Sequence, residues 1–149
     1  MNRKKIILLC TVAGVILLLS LTAGFLLLKF YRDTAYHRYI RESWGIRIPL
    51  TAKEVYHEED RGWFGEGDWY TVFAWNGEGE EPEGLYSTQD TELDLNLRAT
   101  MDRLDVPFQY RFDLLEGCLC RQVAGSPDDE LILVFDPATS LLYVIIYTW

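Results

Sequence analysis

Residues 6–28 run for 23 positions without a charge and are dominated by Leu, Ile, Val, Ala and Phe. A helix rises about 1.5 Å per residue, so this run reaches about 34 Å, enough to cross a hydrocarbon core of about 30 Å. Ionisable residues bracket it closely: Arg3, Lys4 and Lys5 before it, Lys29 and Arg32 after it. The core helix of a small globular protein keeps a polar face toward water, and this run has none. The sequence therefore predicts a cytoplasmic tail over residues 1–5 and a single transmembrane helix over 6–28, the chain's contact with the lipid bilayer.

The run reads as an uncleaved signal-anchor. A cleavable signal peptide carries a shorter apolar stretch, about 7–15 residues, ending in small residues. Thr22-Ala23-Gly24 supplies small residues, but Phe25-Leu26-Leu27-Leu28 continues the apolar run beyond them. Cys10 lies near the start of the run, whereas a lipoprotein Cys closes it. A pilin-like leader needs a Glu where this chain has Lys29. The positive-inside comparison is nearly even, since Arg38 and Arg41 follow Lys29 and Arg32 and are offset by Asp33 and Glu42. The short, purely basic tail favours a cytoplasmic N-terminus with the C-terminal domain outside the cell membrane. Residues 29–45 are expected to prolong the helix as a juxtamembrane stalk. Tyr31, Tyr36, Tyr39 and Trp44 suit an interfacial zone, and Gly45 followed by Pro49 marks a stop. Ser20 and Gly24 form one small-xxx-small match that a dimerising helix would use.

Beyond the stalk, residues 46–149 have the length of one domain, able to bury a core without disulfides or metal. All 23 acids lie after Phe30, against ten Lys and Arg, and twelve of them fall between Glu58 and Asp94 with Arg61 as the one base. Such a surface repels phosphate backbones, so nucleic acid is excluded as a partner.

The clearest folding signal is at the end of the chain. Residues 131–135 and 141–147 are apolar throughout, and Asp136-Pro137-Ala138-Thr139-Ser140 between them has turn chemistry. Strands apolar on both faces belong in the middle of a sheet covered on each side. Residues 68–76 form a further strand, with Trp69, Thr71, Phe73 and Trp75 on one face and Tyr70, Val72 and Ala74 on the other. Residues 51–56 and 119–123 suit two more, and the acidic run 78–84 suits a solvated loop. A helix is predicted over 88–104, capped by Ser87 or Thr88, with Asp90, Glu92 and Asp94 opposing the dipole. Its buried face would hold Leu93, Leu97, Met101 and Leu104. The predicted class is α+β: a small antiparallel sheet with one packed helix, behind a transmembrane helix.

No catalytic or metal-binding constellation emerges, and no cofactor is implied. His37 falls at the membrane surface, and His57 stands beside Glu58, Glu59 and Asp60 without a second His or Cys to complete a metal site. Cys118 and Cys120 admit three readings: two core cysteines, a strained redox pair, or half of an intermolecular link. On a regular strand, residues two apart lie about 6.6 Å from each other, the outer limit for a disulfide. The most distinctive stretch is 61–69, with Gly62, Gly65 and Gly67 among Trp63, Phe64, Glu66, Asp68 and Trp69. It fits neither an EF-hand nor a phosphate loop. The bland reading is a tight turn into the strand at Asp68; the functional one is a binding surface of Trp63, Phe64, Glu66, Asp68 and Trp69.

The layout resembles small uncharacterised bacterial envelope proteins held to the membrane by an N-terminal anchor. The matching features are the glycines 62, 65 and 67 before a strand, and a closing hairpin with Phe135-Asp136 and Leu142-Tyr143. Phe64 stands where that pattern has a His. The resemblance implies an anchored envelope domain and no particular activity. Function is accordingly expected to be non-enzymatic: an acidic extracytoplasmic domain that binds a protein or envelope component. The alternatives are a hydrolase drawing acid and base from Glu58, Glu59, Glu66 and Asp68, and a calcium-stabilised binding module.

Overall fold

The computed structural model describes residues 3–63, 66–76, 82–126 and 128–149, with the side chains of the first helix described at 14–28 and from 35 onward. The predicted loop 78–84 is described from residue 82 only, and Phe64 lies outside the described residues. The chain divides into two compact units, Met1–Tyr39 and Ile40–Trp149.

Helix α1 spans Arg3–Trp44. It ends where Gly45 takes a φ of +67° and its N–H bonds to the Arg41 carbonyl at 3.1 Å, a left-handed stop that glycine adopts without steric cost. Within 14–28 the large apolar side chains are exposed on all sides, from 52% at Val15 to 72% at Leu28. Ser20 and Thr22 turn their hydroxyls back onto the Ile16 and Leu19 carbonyls at 2.9 Å, so neither offers a free donor to its surroundings. Among the described residues no helix is long and apolar enough to cross a membrane.

The second unit is α+β. Among the described residues six antiparallel strands follow in chain order as β1 (Lys53–Arg61), β2 (Gly67–Ala74), β3 (Tyr86–Ser87), β4 (Leu119–Ala124), β5 (Glu130–Asp136) and β6 (Leu141–Thr148). Helix α2 (Thr91–Arg103) and a 3-10 turn (Phe108–Tyr110) lie between β3 and β4. The spatial order β1-β2-β6-β5-β4-β3 puts the predicted hairpin, β5 with β6, at the centre. Side chains alternate across the sheet. On one face Tyr70, Val72, Cys120, Ile132, Val134, Tyr143 and Ile145 pack with Leu93, Leu97, Met101 and Leu104 from α2. On the other, Leu131, Leu133, Phe135, Leu142, Val144 and Ile146 are equally buried, alongside Ile40, Trp44, Ile46 and Ile48. The Trp44 ring lies so close to Gly125 that a Cβ there would come within 2.6 Å of it. The last turn of α1 thus packs as part of the second unit.

Three elements depart from the sequence expectation. β1 runs Lys53–Arg61, later and longer than 51–56, because an edge strand exposed on both sides shows no apolar alternation. β3 is a two-residue edge that pairs Tyr86 with Cys120 and Ser87 with Leu119. Pairing takes Ser87 out of reach of the helix, and the Thr88 hydroxyl accepts the Asp90 N–H instead. Asp90 is therefore the N-cap, accepting the Leu93 N–H at 3.0 Å, and α2 starts at Thr91 rather than 88. Asp94 faces inward, 4% exposed, and accepts the Leu114 N–H at 3.2 Å and Arg98 Nε at 2.7 Å.

Candidate functional site

The 61–69 stretch is the β1–β2 hairpin turn. Gly62 N–H donates to the Glu66 carbonyl at 2.7 Å, and Arg61 pairs with Gly67. Gly67 has a φ of +150°, and a Cβ there would fall 1.9 Å from the Asp60 carbonyl oxygen, so only glycine fits. The turn does not gather the predicted binding residues. Trp63 is fully exposed at the turn, and Glu66 is exposed. Asp68 points to the α2 face, while Trp69, its neighbour along the strand, points to the opposite one. Arg61 lies over the Trp69 ring at 4.3 Å, which occupies the aromatic face a sugar would need.

The predicted hydrolytic carboxylates also part company. Glu58 and Glu59 line a shallow depression of about 330 Å³ with Asp60, Arg103 and Asp105, Asp68 lines a different cavity, and Glu66 lines neither. His57 comes nearest to a catalytic arrangement: Nδ1 is 2.8 Å from Thr71 Oγ1, and Nε2 is 3.5 Å from Glu59 Oε2. The order Thr–His–Glu imitates a hydrolytic triad. Thr71, however, is wholly buried in the middle of the sheet, so its hydroxyl cannot meet a substrate. Cys118 and Cys120 are free, buried thiols. Burial pushes the Cys118 pKa up to about 12 and raises that of Cys120, the opposite of what a reactive thiolate needs. Among the described residues no group of three or more His, Cys, Asp or Glu could hold a metal ion.

Sequence reasoning missed a cleft of about 640 Å³ between α2 and the sheet. Strand register explains it. On the α2 face, Asp60, Asp68, Tyr147 and Glu130 occupy one row across β1, β2, β6 and β5. Adjacent strands lie about 4.8 Å apart, so three carboxylates stand in line across about 15 Å. The next row toward the core contributes Ile132 and Gln122 to the floor. Asp90 and Glu92 come from the start of α2, Asp128 from the β4–β5 turn, and Trp149 forms an aromatic wall. Among the described residues five carboxylates line this cleft and Arg103 is its one Lys or Arg.

Two contacts fix the cleft's shape. The Tyr147 hydroxyl lies 2.9 Å from Thr100 Oγ1, which also donates to the Asn96 carbonyl at 3.1 Å. This ties α2 to β6, and burial raises the Tyr147 pKa so that the hydroxyl stays protonated. Arg103, in the last turn of α2, forms an ion pair with Asp68, whose residue is only 5% exposed. Like charges directly opposite on neighbouring strands repel, and Arg103 offsets that repulsion between Asp60 and Asp68. The cleft's acids come from β2, α2, the β4–β5 turn and β5, so no local motif announces it. The one signal in the sequence was the Asp128-Asp129-Glu130 run.

Comparison with known proteins adds no relative: no family model matches the chain, and neither the curated proteins nor the solved structures contain a significant match.

Proposed function

We propose that this chain is a non-enzymatic, membrane-tethered binding protein whose acidic cleft takes a basic segment of a partner protein at the outer face of a bacterial cytoplasmic membrane. One observation carries the binding role: a built cleft with five carboxylates, an aromatic wall and one base that is already paired. Its volume lies within the range of ligand pockets, about 300–1,000 Å³. Basic side chains would meet the carboxylates, and their alkyl stems would cover Leu93, Ile132 and Trp149.

The tether rests on residues 6–28. They carry no charge and lie within one continuous helix. The described apolar side chains at 14–28 are exposed all round, and the hydroxyls among them are satisfied within the helix. Lipid is the surrounding such a helix needs. The short, purely basic tail before it supports a cytoplasmic N-terminus.

Trypsin treatment of right-side-out vesicles, with a C-terminal tag followed by immunoblot, tests the topology. The reading predicts loss of the tag in intact vesicles; protection until lysis would place the domain in the cytoplasm and end the envelope role.

A further inference from the structure

β1 closes one side of the sheet, and among the described residues no strand lies along its outer edge. Register decides which main-chain groups it leaves outward. The Gly62 N–H is turned toward β2, bonded to the Glu66 carbonyl, and the Asp60 carbonyl lies against Gly67. In an antiparallel pair every second residue makes the ladder bonds. Asp60 and Glu58 therefore bond to β2, while Arg61 and Glu59 turn their N–H and C=O away from it. A register shift between Glu54 and Tyr56 ends this regular stretch.

Side chains divide in the same way. Glu58 and Asp60 share the α2 face with their partners Tyr70 and Asp68. Glu59 points to the opposite face, where its carboxylate pairs with Arg61 at 2.9 Å. Yet Glu58, Glu59 and Asp60 all line the depression of about 330 Å³, with Leu104 and Asp105 from beyond α2. What Glu59 shows to it is main chain, so the depression opens onto the outward edge. Glu58, Asp60 and Asp105 enter no ion pair among the described residues.

We infer that the outer edge of β1 at Glu58–Arg61 is a docking site for an extended segment of a partner protein with Lys or Arg at alternate positions. The segment pairs antiparallel, as the other strands do, and main-chain bonds to Glu59 and Arg61 hold it. Every second side chain then meets Glu58, Asp60 and Asp105 over the depression. Residues two apart on β1 lie about 6.6 Å from each other, which is also the spacing of alternate residues in the added strand. On the opposite face Glu59 and Arg61 neutralise each other, so the intervening positions need no charge. A second copy does not fit, because β1 has four acids against Lys53 and Arg61, and two such strands side by side repel. The depression shares only Arg103 with the cleft, and the edge site does not depend on what the cleft binds.

The test uses the full chain in nanodiscs of zwitterionic lipid and a fluorescein-labelled Lys-Val-Lys-Val-Lys-Val peptide. One comparison peptide is N-methylated at every Val, which keeps the charge and removes the ladder; the other has Glu in place of Lys. The first peptide is expected to bind about tenfold more tightly than the methylated one, and the acidic one not to bind. Glu58→Gln/Asp60→Asn weakens binding several-fold. Glu59→Pro removes an outward N–H at a position where an edge strand accepts proline, and weakens binding strongly, whereas Glu59→Gln leaves it near the native value. In the unmodified chain the peptide slows amide exchange at Glu59 and Arg61 and leaves Glu58 and Asp60 unchanged, a readout independent of any variant's stability. Equal affinity for the methylated peptide would overturn the added strand, as would unslowed exchange at Glu59 and Arg61 with the peptide bound. Binding lost in Glu92→Gln/Asp128→Asn but kept in Glu58→Gln/Asp60→Asn would place the peptide in the cleft and overturn the edge site alone. A peptide-free dimer that Glu59→Pro dissociates would give the edge to a second copy, and failure of the native chain to bind would remove the site.

Discussion

Residues 14–28 of α1 and the β5–β6 hairpin are built from the same residue types, Leu, Ile, Val and Phe, and both are apolar on every side. In the hairpin those side chains, apart from the half-buried Leu141 where β6 begins, are almost completely covered, from Leu131 at 0% to Phe135 at 4% exposed. In α1 the same residue types stand more than half exposed. The difference lies in what each element's backbone requires. A strand must pair along its edges, and pairing brings β2 and β4 alongside and two layers onto its faces. A helix satisfies its own backbone and can remain without a protein neighbour, provided that its surroundings are apolar. Apolar composition thus says that a segment must be covered, and the backbone's hydrogen bonding decides whether that cover must include paired strands.

Truncation at matched positions should separate the two regions most sharply. Ile145→Ala removes a fully buried side chain and is expected to destabilise the second unit by about 3 kcal/mol. Leu18→Ala should change it by less than about 0.5 kcal/mol. Urea unfolding followed by tryptophan fluorescence reads both, and equal losses would break the contrast. Inside the covered unit, Asp94→Ala should cost about 3 kcal/mol, because it orphans the buried Leu114 N–H and takes one of two carboxylate partners from Arg98.

Alkali should sharpen the same contrast, since residues 14–28 carry no titratable side chain. Burial pushes the Cys118 thiol and the Tyr143 phenol up to about 12. Unfolding returns them to about 8.5 and 10, so above pH 9 the unfolded chain loses its protons first and stability falls with rising pH. Urea titrations should show stability at pH 11 well below its value at pH 8. A flat alkaline profile would mean that these groups titrate normally in the fold. The smallest effect expected is Asp90→Ala, about 1 kcal/mol from the lost N-cap of α2.

The hairpin, β2, β4 and the buried stripe of α2 were legible because each carries an apolar pattern that only one surrounding satisfies. Edge elements were not, since β1 and β3 are exposed and their pairing is decided by neighbours distant in sequence. Asp90 rather than Thr88 caps α2 because β3 claims the preceding residue, which is likewise a tertiary matter. At 61–69 strand alternation sends Asp68 and Trp69 to opposite faces, so the described residues of the expected binding surface do not share one face. Of its four described residues only Asp68 lines the cleft, whose remaining walls come from segments up to 81 positions away.

Membrane retention of the full chain tests the tether most directly. Membranes carrying the protein would be washed with alkaline carbonate, floated on a density gradient, and compared with membranes carrying Leu17→Arg/Leu18→Arg. The account predicts that the native chain floats with lipid after the wash and that the double variant is released, since two charges at mid-helix cost about 5–7 kcal/mol on insertion. Release of the native chain into the carbonate supernatant would contradict it and require protein, rather than lipid, to cover residues 6–28.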